Sequence, residues 1–161
     1  MTILKLAKRR AFCLESAQML QPGQAAPSFE LPDADMQPVC LSAFKGKKHV
    51  VLYFYPRDGT PGCTMVTTEF SDHEGDFGKH DCVVFGVSPD DCLTHADFRD
   101  RNGLSIALLS DPEGQVCRQY GVQRGATFVI DKQGVIRHAA YDVKPRGHAA
   151  EVFDLVKRLR S

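Results

Sequence analysis

Between Val50 and Thr64 the chain reads Val-Val-Leu-Tyr-Phe-Tyr-Pro-Arg-Asp-Gly-Thr-Pro-Gly-Cys-Thr, and this stretch limits what the rest can fold into. Its apolar part, Val50–Tyr55, has the β-branched and aromatic content of a buried strand and ends on a turn signal. Pro56, Gly59, Pro61 and Gly62 then forbid regular structure for several residues. From Thr64 to about Phe77 nothing interrupts a helix. Cys63 is therefore predicted at the first turn of a helix that leaves the end of a buried strand. The first N–H groups of a helix lack intrahelical partners and carry partial positive charge. A thiol placed there is expected to ionise more readily than the reference value of about 8.5. Thr60 brings a hydroxyl beside the sulfur or its substrate. An isolated cysteine is commonly a packed, small apolar residue; the proline-glycine collar and the helix start argue here for a reactive thiol.

Composition narrows the function classes. A chain of 161 residues, 43% hydrophobic and 25% charged, fits one ordinary globular domain. Twenty basic and twenty acidic side chains cancel, so no basic footprint for nucleic acid or an anionic membrane exists. No apolar run approaches the roughly 18 residues of a spanning helix. The six cysteines are too few and too irregular for a secreted disulfide framework and contain no C-x-x-C pair. His73 and His80 lie near Cys82 without the spacing of a metal site, so no metal is expected. Reduced thiols and a cytoplasmic location fit this usage.

In chain order, residues 1–20 read as an N-terminal extension, expected to be helical, and residues 21–161 as a single domain. Ser28–Leu31 and Pro38–Leu41 form a predicted hairpin around Pro32–Asp35. After the central strand and its helix come a second buried strand, Cys82–Ser88, and a helix from Asp91 to about Arg101. Ile106–Leu109 is a third strand, and Ser110-Asp-Pro-Glu is expected to open a helix. Tyr120–Arg124 is a loop, Thr127–Asp131 and Val135–Tyr141 a hairpin, and His148–Leu159 the closing helix. Strands alternating with helices, then a hairpin and a helix, imply an α/β fold: a central mixed sheet flanked by helices.

Pro56, Thr60 and Cys63 make the pattern P-x-x-x-T-x-x-C, which resembles the active-site signature of the peroxiredoxins. The string Phe54–Thr64 is similar to their bacterioferritin-comigratory (PrxQ) branch. The likeness extends to Ala26–Leu31, to Gly86-Val-Ser88 with His95 and Phe98, and to Tyr120–Arg124 with Thr127–Asp131, so it covers about residues 20–160. It implies a thioredoxin-like fold and a thiol-dependent peroxidase acting on hydrogen peroxide and small organic hydroperoxides. No metal and no bound organic cofactor are implied.

Such a reaction runs when a thiolate attacks one peroxide oxygen and the other leaves as alkoxide, so the site must hold negative charge. The resemblance makes Cys63 the peroxidatic nucleophile and Arg124 the fixed cation, a role suited to a guanidinium. Pro56 is expected to shield the thiolate and Thr60 to hydrogen-bond peroxide or sulfur. The backbone N–H groups of Gly62 and Cys63 are expected to bind substrate, and Arg57 to act as a solvent-facing helper. The resulting Cys63 sulfenic acid must be returned to thiol. Here the chain departs from the branch: Thr68 stands where many members carry a resolving cysteine, and Val66 where they carry glutamate. Cys92, near the start of the Asp91–Arg101 helix, is the internal resolving candidate, although relatives that resolve from that helix do so further along, near Arg99. The alternative is a one-cysteine cycle in which thioredoxin, or glutathione with glutaredoxin, attacks the sulfenate. A monomer or weak dimer is expected. The rival function class is a non-enzymatic redox sensor or interaction module on the same fold.

Overall fold

The computed structural model of the protein describes residues 19–141 and 143–159; the expected helix over residues 1–20 falls almost wholly outside them. β1 (Glu30–Pro32) and β2 (Pro38–Cys40) form a separate antiparallel hairpin. Its turn is shaped by Asp33, whose carboxylate accepts from the backbone N–H of Asp35 and Gln37. The main sheet has five strands in the order β5-β4-β3-β6-β7. These are β3 (His49–Phe54), β4 (Cys82–Ser88), β5 (Ala107–Ser110), β6 (Ala126–Ile130) and β7 (Ile136–Ala140). β3 pairs parallel with β4 and antiparallel with β6, so the sheet is mixed, as expected.

Strand β3 is buried along its whole length because it lies in the middle of a sheet covered on both faces. Its alternate side chains feed two cores. Val51 and Tyr53, with Tyr55 just beyond, join the core of Phe70, Phe77 and Val152. Val50, Leu52 and Phe54 join Phe85, Tyr120 and Phe128 on the other face. Tyr120 is fully buried against Phe54 and Phe128, and its hydroxyl donates to the Pro27 carbonyl at 2.6 Å.

Two expected helices are corrected. The helix leaving β3, α1, runs Pro61–Asp72, with Cys63 in its first turn as expected, but it starts earlier than Thr64. Proline suits this start because its missing N–H is one the helix leaves unpaired anyway. α1 does not reach Phe77 but stops at His73, and a second helix, α2 (Glu74–Lys79), follows. Gly75 and Gly78 weaken a continuous helix, and the break seats Phe77 against Phe70 and Phe153. α3 (Cys92–Asn102) is capped by the Asp91 carboxylate, which accepts from Thr94 N–H at 2.7 Å. The next helix, α4 (Gln115–Gln119), starts after a turn at Asp111–Gly114 rather than at Ser110. Asp111 still serves it, accepting from the N–H groups of Val116 and Cys117. α5 (His148–Lys157) closes the fold.

Burial pushes the imidazoles of His49 and His148 below their ordinary range, with Lys132 adding to the effect at His49 and His138 to that at His148. An unfolded chain takes up protons at these sites near pH 6.5, where the folded chain does not. Stability from both is therefore complete above that pH and falls as pH drops through it. The urea midpoint is expected to be lower at pH 5.5 than at pH 7.5, with a shallower dependence in His148→Gln; equal slopes for variant and parent would remove His148 from this account.

Candidate active site

The sheet itself brings the predicted residues together. Phe54, at the end of β3, pairs with Ala126, at the start of antiparallel β6. The loop after β3 and the loop before β6 therefore leave the same end of the sheet, one carrying Thr60 and Cys63 and the other Arg124. Gly125 makes the approach close: a Cβ there would sit 3.3 Å from the Phe54 carbonyl oxygen.

A cavity of about 300 Å³ opens at this point, and Pro56, Thr60, Gly62, Cys63 and Arg124 all line it. Cys63 is buried, at 8% exposure. The first backbone hydrogen bond of α1 runs from Thr64 N–H to the Thr60 carbonyl, 2.8 Å, which leaves the N–H groups of Gly62 and Cys63 outside the helix's own ladder. Thr60 is the N-cap, but its hydroxyl makes no capping bond; it faces the Arg57 carbonyl at 3.4 Å. Arg57 is exposed, as expected. Arg124 makes no ion pair among the described residues and is the only charged residue on the cavity wall. The rest of the lining includes apolar side chains: Val66, at 1% exposure, with Val143 and Pro145.

Two features escaped the sequence reading. Tyr53 lines the cavity, and its phenol is held protonated far above the usual range, first by burial and then by the neighbouring Cys63 sulfur. Strand alternation alone puts Tyr53 on the face of α1, which was the available signal. The second feature is Tyr141, whose hydroxyl accepts from Leu20 N–H and donates to the Tyr120 carbonyl, both at 2.7 Å, while its ring borders the cavity.

None of the other described cysteines is among the residues that line this cavity. Cys92 is the first residue of α3, partly exposed, and is not among the residues lining the cavity. Burial pushes the Cys82 thiol up to about 12. Cys117 is raised by burial and then by Asp111, and Cys40 by burial and then by Glu30. Cys40, Cys63, Cys82, Cys92 and Cys117 are all free thiols.

A buried thiol at a helix start, sharing a cavity with a guanidinium on a thioredoxin-like sheet, defines a thiol-dependent redox enzyme. Residues 22–139 match the AhpC/TSA family. The chain is 36% identical over 152 residues to peroxiredoxin Bcp of Bacillus subtilis, covering 86% of this chain and 96% of that one. The crystal structure of peroxidoxin BcpB from Mycobacterium tuberculosis superposes with a TM-score of 0.82 at 31% identity, over 88% of this chain and 99% of that one. A structure of the Xanthomonas campestris bacterioferritin comigratory protein, described for its alkyl peroxide reduction, matches with a TM-score of 0.75 at 30% identity, over 80% of this chain and 90% of that one. The chain belongs to the AhpC/TSA family, as a peroxiredoxin of the Bcp/PrxQ branch. It is accordingly a thiol-dependent peroxidase, acting on peroxide at the expense of a thiol reductant. No helix among the described residues is long and apolar enough to cross a membrane.

Proposed function

We propose that Cys63 is the peroxidatic nucleophile of this peroxidase. Its thiolate attacks the terminal oxygen of a hydroperoxide; the sulfur–oxygen bond forms as the oxygen–oxygen bond breaks, and the departing hydroxide or alkoxide takes up the proton released when the Cys63 thiol ionised, giving water or alcohol. The observation that carries the reading is the single cavity in which Cys63, the unpaired Gly62 and Cys63 N–H groups and Arg124 converge. In it Arg124 and the N–H groups hold charge on the two oxygens, Thr60 bonds the peroxide, and Pro56 keeps bulk water from the sulfur. Hydrogen peroxide and small organic hydroperoxides are the substrates. The reaction needs no metal and no organic cofactor.

The sulfenic acid on Cys63 then condenses with a thiol to a mixed disulfide, with release of water, and a second thiol attacks that disulfide and frees the Cys63 thiolate. Because Thr68 replaces the usual resolving cysteine on α1, an external thiol serves: thioredoxin, or glutathione with glutaredoxin. Cys92 is the internal alternative. The protein works in this reading as a cytoplasmic monomer or weak dimer, with residues 21–161 as its one domain behind an N-terminal extension. Intact-mass and peptide mapping after one equivalent of hydrogen peroxide, with a sulfenate trap present, tests it. Trapped sulfenate on Cys63 without a new disulfide is the expected result. A Cys63–Cys92 link that is lost in Cys92→Ser would replace the one-cysteine cycle by a two-cysteine one. An unreacted Cys63 would end the reading.

A further inference from the structure

Asp58 sits in the active-site loop between Pro56 and Thr60, yet its side chain is turned inward and only 3% exposed. There it meets His95, which is fully buried on α3, with Asp58 Oδ2 and His95 Nδ1 2.6 Å apart. The other Asp58 oxygen accepts from the Tyr55 hydroxyl at 2.6 Å. Asp58 N–H donates to Asp90 Oδ2 at 2.7 Å, and Ser88 Oγ donates to the same oxygen at 2.7 Å. His95 Nε2 faces the Leu109 carbonyl at 3.0 Å, so that nitrogen carries a hydrogen and donates. The loop is thus fastened to the ends of β4 and β5, where Ser88 pairs with Ser110. Gly86 makes the room this needs, since a Cβ there would lie 3.1 Å from the Tyr55 ring.

Asp58, Asp90 and His95 hold ligand-type atoms within 4.8 Å of one another, but the carboxylates and the ring spend them on each other and on Tyr55, Ser88 and Leu109. Neither Asp58 nor His95 lines the thiol cavity. A buried polar network with every member satisfied rigidifies what it joins, and what it joins here is the loop that carries Thr60 and opens α1. Gly59, at φ +87°, is the flexible link between Asp58 and Thr60. With the network gone, no other hydrogen bond or ion pair among the described residues would fix Asp58, and Thr60 and the N-terminus of α1 would be free to shift.

We infer that the Asp58–His95 pair is a strut that makes Asp58 a positioning residue for peroxide attack at Cys63, an inference that rests on the assignment of Cys63 as nucleophile. The strut acts through geometry. In Asp58→Asn the amide oxygen can still accept from Tyr55, and the amide nitrogen can donate to Nδ1 of the His95 tautomer that bears its hydrogen on Nε2. The isostere therefore keeps the strut, whereas Asp58→Ala loses it.

The test is stopped-flow oxidation of the reduced, full-length protein by hydrogen peroxide, recording both rate constant and amplitude. Misplacing reacting groups by about an ångström costs on the order of a hundredfold, so Asp58→Ala is expected to be about tenfold to a hundredfold slower at full amplitude. Asp58→Asn is expected to recover most of the rate. A partly unfolded protein would instead lose amplitude and keep its rate constant. Should Asp58→Ala fail to fold, Tyr55→Phe carries the test, with a loss of about threefold to tenfold expected from one missing hydrogen bond. A parental rate constant in Asp58→Ala or, if that variant does not fold, in Tyr55→Phe overturns the strut, as does Asp58→Asn as slow as Asp58→Ala or a loss in amplitude alone. Cys63→Ser, run alongside, separates the two levels: reaction persisting in it overturns the Cys63 assignment, whereas an inert Cys63→Ser beside a fast Asp58→Ala overturns the strut alone.

Discussion

Cys63→Ser is expected to fold and to reduce no peroxide above the uncatalysed background. The exchange removes one polarizable sulfur and leaves the backbone contacts of the site in place, among them the Thr67 hydroxyl that donates to the Cys63 carbonyl. Chemically the change is complete, because attack on a peroxide oxygen is made by a thiolate and serine offers only a weakly acidic hydroxyl. Nothing else in the described chain substitutes for it. Cys82, pushed up to about 12 by burial, is ionised to about one part in 10⁵ at pH 7. Cys40 and Cys117 are raised as well, and Cys92 is not among the residues that line the cavity. A reductant-coupled peroxide-consumption assay, with circular dichroism to establish folding, checks the outcome. Residual turnover above a few per cent of the parent would move the chemistry to another thiol.

What the sequence made legible follows the periodicities. Val50–Tyr55 could be read as a buried strand because nearly every residue in it is apolar, which is what a central strand covered on both faces requires. The P-x-x-x-T-x-x-C pattern could be read because proline and glycine constrain the backbone locally, whatever packs around them. Helix ends were less legible. The break at His73 depends on Phe77 finding Phe70 and Phe153, and the late start at Gln115 depends on Asp111 reaching two residues of the next helix. Both are tertiary facts.

The site shows the same division. Cys63 and Thr60 lie in one short stretch, and their neighbourhood is local. Arg124 joins them only through the pairing of Phe54 with Ala126, and was found by resemblance. His95 shows the limit: with Phe98 one turn away it reads as a core-facing residue, and both are indeed buried. Burial alone did not reveal that His95 meets a loop carboxylate 37 positions earlier in the chain. Tyr53 was hidden in a different way, because an aromatic residue inside a central strand is sufficiently explained by packing.

Arg124→Ala is the second variant with a large expected effect, about a hundredfold to a thousandfold in the second-order rate constant for peroxide, or roughly 3–4 kcal/mol of transition-state stabilisation. Among the described residues the guanidinium is the one charge on the wall of a cavity of about 300 Å³. No carboxylate pairs with it among the described residues, and Val66 makes part of the lining apolar, so its field is not spent on a protein partner. Charge that builds on two oxygens as their bond breaks would be met by its planar fork of donors. Arg124→Lys keeps the charge and loses the fork, so it should recover only part of the rate. Stability should hardly move, because the residue is exposed and unpaired, and such surface changes stay within about 0.5 kcal/mol. The loss must also fall on the peroxide step and not on reduction of the sulfenic acid, since the second step builds no charge on a peroxide oxygen. Stopped-flow oxidation of reduced Arg124→Ala, followed by re-reduction of the oxidised form, separates the two steps. A peroxide rate constant within about threefold of the parent would mean that the Gly62 and Cys63 N–H groups carry the electrostatics alone.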